Sequence, residues 1–332
     1  MGEKCGQNLL FMGAVEATYG TINKTIELKA GCKFSFTEVI PEMPVPRNTG
    51  QVETSTMEAS KDMSYVDGTI EGVLTRSMLV FLLELLTGDA EAGTSGDVWT
   101  HNNACARPGA SLYLYTDIGT LETTTDDVYD VVTGAIITQL VLNFQQGSPV
   151  TFSATVKAKA VSREITNADT NALVLTAVGA DASFPADGIA KYSDLTVALG
   201  GASAAEIAYF NGGTLTLTNE LAGDDILFQN SDTIINPVIL RTGGNLTASW
   251  IYDTAKDPTI YDNIQGTGTT DSITLLFGTV WQYTFVIYGV YESYERPPVD
   301  RGKVLSSFNK KIERGTSTAS LTVTYTDLTP EG

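Results

Sequence analysis

From Val150 onward the chain alternates strictly. Val150, Phe152, Ala154, Val156 and Ala158 are apolar, and Thr151, Ser153, Thr155, Lys157 and Lys159 between them are polar. A period of two puts one set on a buried face and the other on a wet face of a strand. The same pattern closes the chain, with Ala319, Leu321, Val323 and Tyr325 set against Ser320, Thr322, Thr324 and Thr326. Weaker alternations, rich in β-branched residues, predict further strands at 32–40, 68–75, 111–117, 213–221, 244–253 and 282–290. One segment breaks the rule. Residues 76–88, RSMLVFLLELLTG, are apolar at nearly every position and stop at a glycine, which predicts a short helix ending before Gly88. A helix apolar on almost all sides cannot lie on a surface. It must pack on a sheet with one side and, with the other, on a sister domain or another subunit.

The elements recur along the chain. Residues 134–147 (GAIITQLVLNFQQG) and 302–315 (GKVLSSFNKKIERG) are each bounded by glycines 13 positions apart, and the copies are 168 positions apart. In this alignment Leu140 matches Phe308, Phe144 matches Ile312, and an alternating strand follows each copy. Upstream, 32–40 resembles 213–221 and 68–75 resembles 244–253. The helix slot holds 76–88 in the first copy and the much weaker 254–268 (TAKDPTIYDNIQGTG) in the second. This order predicts a mainly β chain built by duplication, with domains at 1–163 and 206–332. The stretch between them, 164–205, is rich in Ala, Asp, Thr and Gly and reads as linker and loop with two short strands.

Charge narrows the class of partner. With 20 basic and 39 acidic residues in 332, the net charge is −19. Tight binding to nucleic acid neutralises phosphates with Lys and Arg, so this excess argues against it. It is compatible with solubility, and equally with a wall past which a duplex slides without sticking. The longest apolar run, Met78 to Leu83, is far short of a membrane span. The start, MGEKCGQNLL, lacks the pattern of a secretory signal, so synthesis and folding in a cytoplasm are expected. Cys5, Cys32 and Cys105 are odd in number and have no paired spacing, which predicts reduced thiols and no zinc site.

Candidate chemistry is sparse. The single histidine, His101, lies in a polar stretch with Cys105 four residues on, and no third residue completes a nucleophilic constellation. Asp126, Asp127 and Asp130 cluster without the glycine and closing glutamate of a calcium loop, which reads as a solvated acidic loop. Glycine-rich stretches lack a phosphate-binding lysine or a dinucleotide fingerprint. Tyr283, Tyr288, Tyr291 and Tyr294 fall on both faces of a strand and suit sheet packing or an assembly interface better than ligand stacking. No enzymatic activity and no cofactor or metal are expected.

Three segments in order carry a family resemblance: GAVEATYGTINKTIEL (13–28), DGTIEGVLTRSMLVFLLELLTG (67–88) and VYDVVTGAIITQLVLNFQQGSPVTFSATVKAKAV (128–161). The chain resembles the tail tube, or major tail, proteins of long-tailed bacteriophages in a duplicated form. The likeness covers most of the chain and is best over 13–162, with 254–268 as the clearest departure. It implies two tandem β-sandwich domains, each with a flanking α-helix. Such proteins form stacked rings that line a conduit for genome ejection, and sheets of adjacent subunits join into a continuous inner barrel. A duplicated chain would need three copies to fill six ring positions. The resemblance further implies a virion location, with the tape-measure, tail terminator and tail-tip proteins as partners. Double-stranded DNA would pass without tight binding, and no membrane would be involved. The loop 41–64, with Pro44, Arg47, Gln51, Glu53 and Glu58, would reach a neighbouring subunit or ring. Thr151, Ser153, Thr155, Lys157, Ser320, Thr322 and Thr324 would face a wet lumen. Two other classes fit parts of the sequence. One is a cell-surface or adhesion β-sandwich; the other is an enzyme or carbohydrate-binding module with its site in 89–110.

Overall fold

Alternating β-branched sequence produces strands almost throughout. The computed structural model describes residues 9–23, 25–28, 32–39, 42–44, 57–59, 65–89, 95–102, 107–116, 128–166, 174–175, 188–199, 210–221, 239–251, 261–262, 269–295, 305–312 and 319–328. The first half of the chain contains β1 (Leu9–Val15), β2 (Thr25–Leu28), β3 (Cys32–Val39), β4 (Glu42–Pro44), β5 (Met57–Ala59) and β6 (Tyr65–Val73). Helix α1 (Arg76–Thr87) follows, then β7 (Val98–His101), β8 (Ala110–Thr116), β9 (Val128–Gln145), β10 (Thr151–Ala158) and β11 (Ala160–Thr166). Beyond these lie β12 (Val174–Leu175), β13 (Leu195–Ala198), β14 (Phe210–Leu221) and β15 (Ile239–Ile251). The chain ends with β16 (Thr269–Phe277), β17 (Trp281–Glu295), β18 (Leu305–Ile312) and β19 (Leu321–Asp327). The protein is mainly β, with α1 as the one full helix among the described residues. Of the second helix slot, 254–268, only Tyr261 and Asp262 are described, and both are helical.

Two unusually long strands, β9 and β17, organise the rest. The C-terminal part of β9 pairs with β10 on one side and β14 on the other, while its N-terminal part pairs with β8 and β11. Likewise β17 pairs with β18 through its C-terminal part and with β16 and β19 through its N-terminal part. The result is one antiparallel layer in the order β3–β6–β10–β9–β14–β15–β18–β17. Beyond the bends, β1–β8–β9–β11 and β13–β16–β17–β19 form two smaller layers. The two halves thus repeat one pairing pattern, β3, β6, β10 and β9 in one and β14, β15, β18 and β17 in the other.

The register fixes how the halves correspond. Leu140 faces Ala154, and 154 residues later Tyr294 faces Phe308. Each ladder also skips one residue at the same place, Thr138 in β9 and Glu292 in β17. This corrects the spacing of 168 read from flanking glycines. The counterpart of β10 is β18, β19 corresponds to β11, and 302–315 does not match 134–147. Neighbouring antiparallel strands share a period of two, so a slip by one strand preserves the apolar pattern.

Helix α1 fills the space between the halves. Thr75 caps it, its Oγ1 accepting from the Met78 N–H at 3.3 Å, and Gly88 ends it at φ 83°, its N–H donating to the Glu84 carbonyl. Met78, Leu79, Leu82, Leu83, Leu85 and Leu86 are all fully buried. The helix packs on β1 and β9 of the first half and on β7. Strand β7 in turn pairs with β19, extending the second half's small layer. At the start of the helix, Arg76 Nε donates to the Tyr283 hydroxyl at 3.2 Å, and its guanidinium lies 4.6 Å from the Trp281 ring centre. Of the two coverings open at the sequence level, the structure supplies the sister half.

Each bend buries a carboxylate. In β9 the bend falls at Gly134, φ 66°, a conformation that favours glycine. Its N–H donates to Glu16 at 2.9 Å, and the same carboxylate accepts from the Gly20 N–H at 2.6 Å and the Ser111 hydroxyl at 2.9 Å. Burial pushes the Glu16 carboxyl up, and these three bonds oppose the shift. The segment EATYGT is therefore a local turn folded around its own glutamate. Near the bend in β17, Lys310 Nζ lies 2.7 Å from Asp271 Oδ2, both side chains fully buried. Tyr291 donates to Asp271 Oδ1 at 2.5 Å. Burial lowers the Lys310 pKa, and Asp271 opposes that shift.

A buried ion pair is costly to break and cheap to replace as a unit. Lys310→Met is expected to lower unfolding free energy by about 3–5 kcal/mol, because it removes the cation that faces the buried Asp271 carboxylate. Lys310→Met combined with Asp271→Val should recover most of that loss. Urea denaturation of the two variants and the parent checks both.

Candidate functional site

The eight-stranded layer has one apolar and one polar face, and the pairing registers show which side chains share each. Phe34, Ile70, Ala154, Leu140 and Leu217 stand in one cross-strand row and are buried. On the other face, one row runs Lys33, Glu71, Ser153, Val141, Thr216, Asn245, Lys311, Val290. The next runs Thr151, Asn143, Thr214, Thr247, Asn309, Ser293. Every member of the second row is a hydroxyl or amide side chain; the first mixes three of these with three charged residues and two valines.

Charges on this face come largely as opposed pairs. Lys33 stands across from Glu71, Lys157 from Asp67, and Arg241 from Glu220. Lys311 and Glu295 also lie on this face, opposite Asn245 and Ser307, so among its described residues bases and acids are near balance, in contrast to the acid excess of the whole chain. An open concavity of about 720 Å³ lies over the strand ends at Gln145, Gly212, Ser249 and Ser307.

At the centre of the face lies the seam where the two halves meet. Strands β9 and β14 pair over seven positions, from Gly212 opposite Gln145 to Thr218 opposite Gln139. On the polar side, Thr214 Oγ1 donates to Asn143 Oδ1 at 3.2 Å. On the buried side, Leu217 faces Leu140 and Leu215 faces Leu142. Asn219 locks the seam from below. Its amide donates to the carbonyls of Leu86 in α1 (3.1 Å) and Ile137 in β9 (3.0 Å), and its Oδ1 lies 2.9 Å from His101 Nε2 in β7. One side chain thus ties β14, β9, α1 and β7 together. His101 is fully buried, and burial holds its pKa down at about 4. The imidazole is neutral near pH 7, so its Nε2–H donates to Asn219.

The expected site residues divide sharply. Thr151, Ser153, Thr155 and Lys157 all lie on the polar face, where β18 supplies Leu305, Ser307, Asn309 and Lys311 as their counterparts. Thr322 and Thr324 belong instead to β19, in the smaller layer, paired with the N-terminal part of β17 and with β7. Ser320 is buried and donates to the His101 carbonyl at 3.0 Å. Of the loop 41–64, Pro44 pairs with Met57 and Met43 with Glu58 in a separate two-stranded ladder. Arg47, Gln51 and Glu53 lie outside the described residues.

The tyrosines pack within the protein. Tyr283 lies 5.0 Å from Tyr325 and 6.0 Å from Trp99, Tyr291 stands edge-on to Phe308 at 5.0 Å, and Tyr294 tilts on Trp250 at 6.2 Å. Sequence reasoning passed over Asn143, Thr214, Thr247 and Asn309. The alternation of GTLTLTNEL and of 139–145 carried that signal. Among the described residues no cluster of His, Cys, Asp and Glu could hold a metal ion, and no helix is long and apolar enough to cross a membrane. No protein-family description and no curated protein matches the chain.

The buried histidine gives the seam a pH signature. Its folded pKa, about 4, lies below the usual 6.5, so below pH 6.5 the unfolded chain binds a proton that the folded one refuses. This contribution is complete above pH 6.5, falls as pH drops towards 4, and levels off below. Stability measured from pH 7 to 4 in the parent and in His101→Gln should differ in slope over that window. The parent should lose on the order of 3 kcal/mol more across it.

Proposed function

We propose that the chain is a structural subunit that closes into rings and stacks into a tube, with the polar face as the inner wall. That is the role of the tail tube in long-tailed bacteriophages, where the tube conducts the genome. The observation that carries this reading is the β9–β14 seam. It joins two similarly paired halves edge to edge, so that one polar face continues without a break across eight strands. A sheet that extends by adding like units at its edges becomes a closed wall if it curves, and closure removes its unpaired edges. Three copies would supply six such units.

The chemistry of the face supports the same reading. A duplex moving through a conduit is held back by cations that bind phosphate, and net negative charge repels it. Hydroxyl and amide side chains with opposed charge pairs do neither. The recurrence of one pairing pattern supports two tandem domains, each a layer of the wall with a smaller layer packed beyond its bend.

Negative-stain electron microscopy from dilute to concentrated protein tests the assembly. Rings or hollow tubes with threefold or pseudo-sixfold symmetry are expected, and monomers at every concentration would refute it. Lysine substitutions test the wall. Thr155→Lys with Thr216→Lys and Asn245→Lys should leave rings intact but give them DNA binding that weakens steeply with salt. The parent rings should show no such binding.

A further inference from the structure

The seam inside one chain specifies the seam between chains; this inference rests on the ring reading above. Among the described residues, β3 pairs with β6 alone, and β17 beyond Gly289 pairs with β18 alone. These are the two outer edges of the eight-stranded layer. They are also the counterparts of the two strands already joined within the chain. Strand β17 corresponds to β9 at a spacing of 154, as Tyr294–Phe308 against Leu140–Ala154 shows. Strand β3 corresponds to β14 through matching rows. Ser35–Thr69–Thr155 in the first half becomes Thr214–Thr247–Asn309 in the second, a spacing of 179 for the first strand.

The internal seam can therefore be carried over residue by residue. It pairs Thr218 with Gln139, Leu217 with Leu140 and Thr216 with Val141. Subtracting 179 on one side and adding 154 on the other gives Val39 with Ser293, Glu38 with Tyr294 and Thr37 with Glu295. We infer that two copies of this chain join antiparallel through β3 of one and the C-terminal end of β17 of the next, with those three pairs in register. The matching skipped residues support the carried register. Thr138 donates to the Thr155 carbonyl, and at the same place Asn309 donates to Glu292.

The two seams differ in chemistry. Where the internal seam buries Leu217 against Leu140, the one between copies sets Glu38 against Tyr294. Past Glu295 the sequence reads Arg296, Pro297, Pro298, and proline supplies no ladder donor. The seam between copies is shorter than the seven-position internal one and lacks its leucine pair. Rings should come apart between chains and remain intact within them.

Disulfide trapping tests the register. The background replaces Cys5, Cys32 and Cys105 with serine. Within one chain, β3 and β17 lie at opposite edges of the layer, roughly 34 Å apart at the usual strand spacing, so any bond between them is intermolecular. Val39→Cys with Ser293→Cys, and Thr37→Cys with Glu295→Cys, are expected to form covalent dimers and trimers on mild oxidation. Val39→Cys with Glu295→Cys, slipped by two residues, should form them at least about tenfold more slowly. Mixing the single variants Val39→Cys and Ser293→Cys, each shown to be folded, should give dimers that neither gives alone.

Rings seen by microscopy without bonds in the in-register pairs, or with the slipped pair equally fast, overturn the register and leave the ring reading standing. In-register bonds without rings support the seam and overturn ring closure. Neither bonds nor rings at any concentration overturns both.

Discussion

A sheet edge must be paired, covered or made unattractive, because its open N–H and C=O groups recruit any strand that fits. In this protein one edge of each half is satisfied by the other half, through the β9–β14 ladder. Much of the structure serves that joint. The two halves must lie side by side in one layer, so each needs a strand long enough to serve the shared layer and then leave it. Strands β9 and β17 do this, and their bends are where Glu16 and Asp271 are buried. The two bends use different chemistry for one task. In the first, backbone N–H groups hold the carboxylate; in the second, a lysine and a tyrosine hold it. Two halves that share a pairing pattern but meet different neighbours can differ in this way.

The apolar helix belongs to the same logic. Two halves joined along one edge of a layer leave a gap behind the seam, since each half's small layer swings away from it. Helix α1 occupies that gap with seven buried apolar side chains, and β7 then crosses to the second half's small layer. Asn219, a polar side chain that ties helix and seam together, has its amide and its oxygen both engaged. Burying an amide there without those partners would cost several kcal/mol, so the junction tolerates one arrangement.

This explains which parts of the fold could be read from the sequence. The helix, its glycine stop and most strands were legible, because each is a local pattern of period or capping. The polar face of β10 was legible for the same reason. The spacing of the repeat was not: alternation marks a strand without saying which strand lies beside it, and glycines at matching intervals aligned β9 with β18. That alignment set Thr322 and Thr324 beside the polar positions of β10, whereas they lie in the smaller layer. Ser320 shows the limit most clearly, since it alternates as a wet residue yet is buried under β7, a strand from far away in the sequence. The charge distribution was equally out of reach, because composition sums over all faces. Opposition of Lys33 to Glu71 exists only in the ladder.

Under the tube reading, the balance of that face has a physical rationale that net charge alone would miss. A strongly negative inner wall would raise the energy of a duplex throughout its passage, while a positive one would trap it. A neutral hydroxyl surface stays wet and offers the duplex weak, exchangeable hydrogen bonds with no preferred stopping point. The fold produces such a surface cheaply: Ser, Thr and Asn on strands satisfy the polar side of the alternation without charge, and the few charged residues there are largely offset across the strand. What the strand pattern requires for a one-sided core is thus also what a conduit requires for its lining. A subunit of this kind needs no dedicated site, because its function resides in a face repeated around a closed wall.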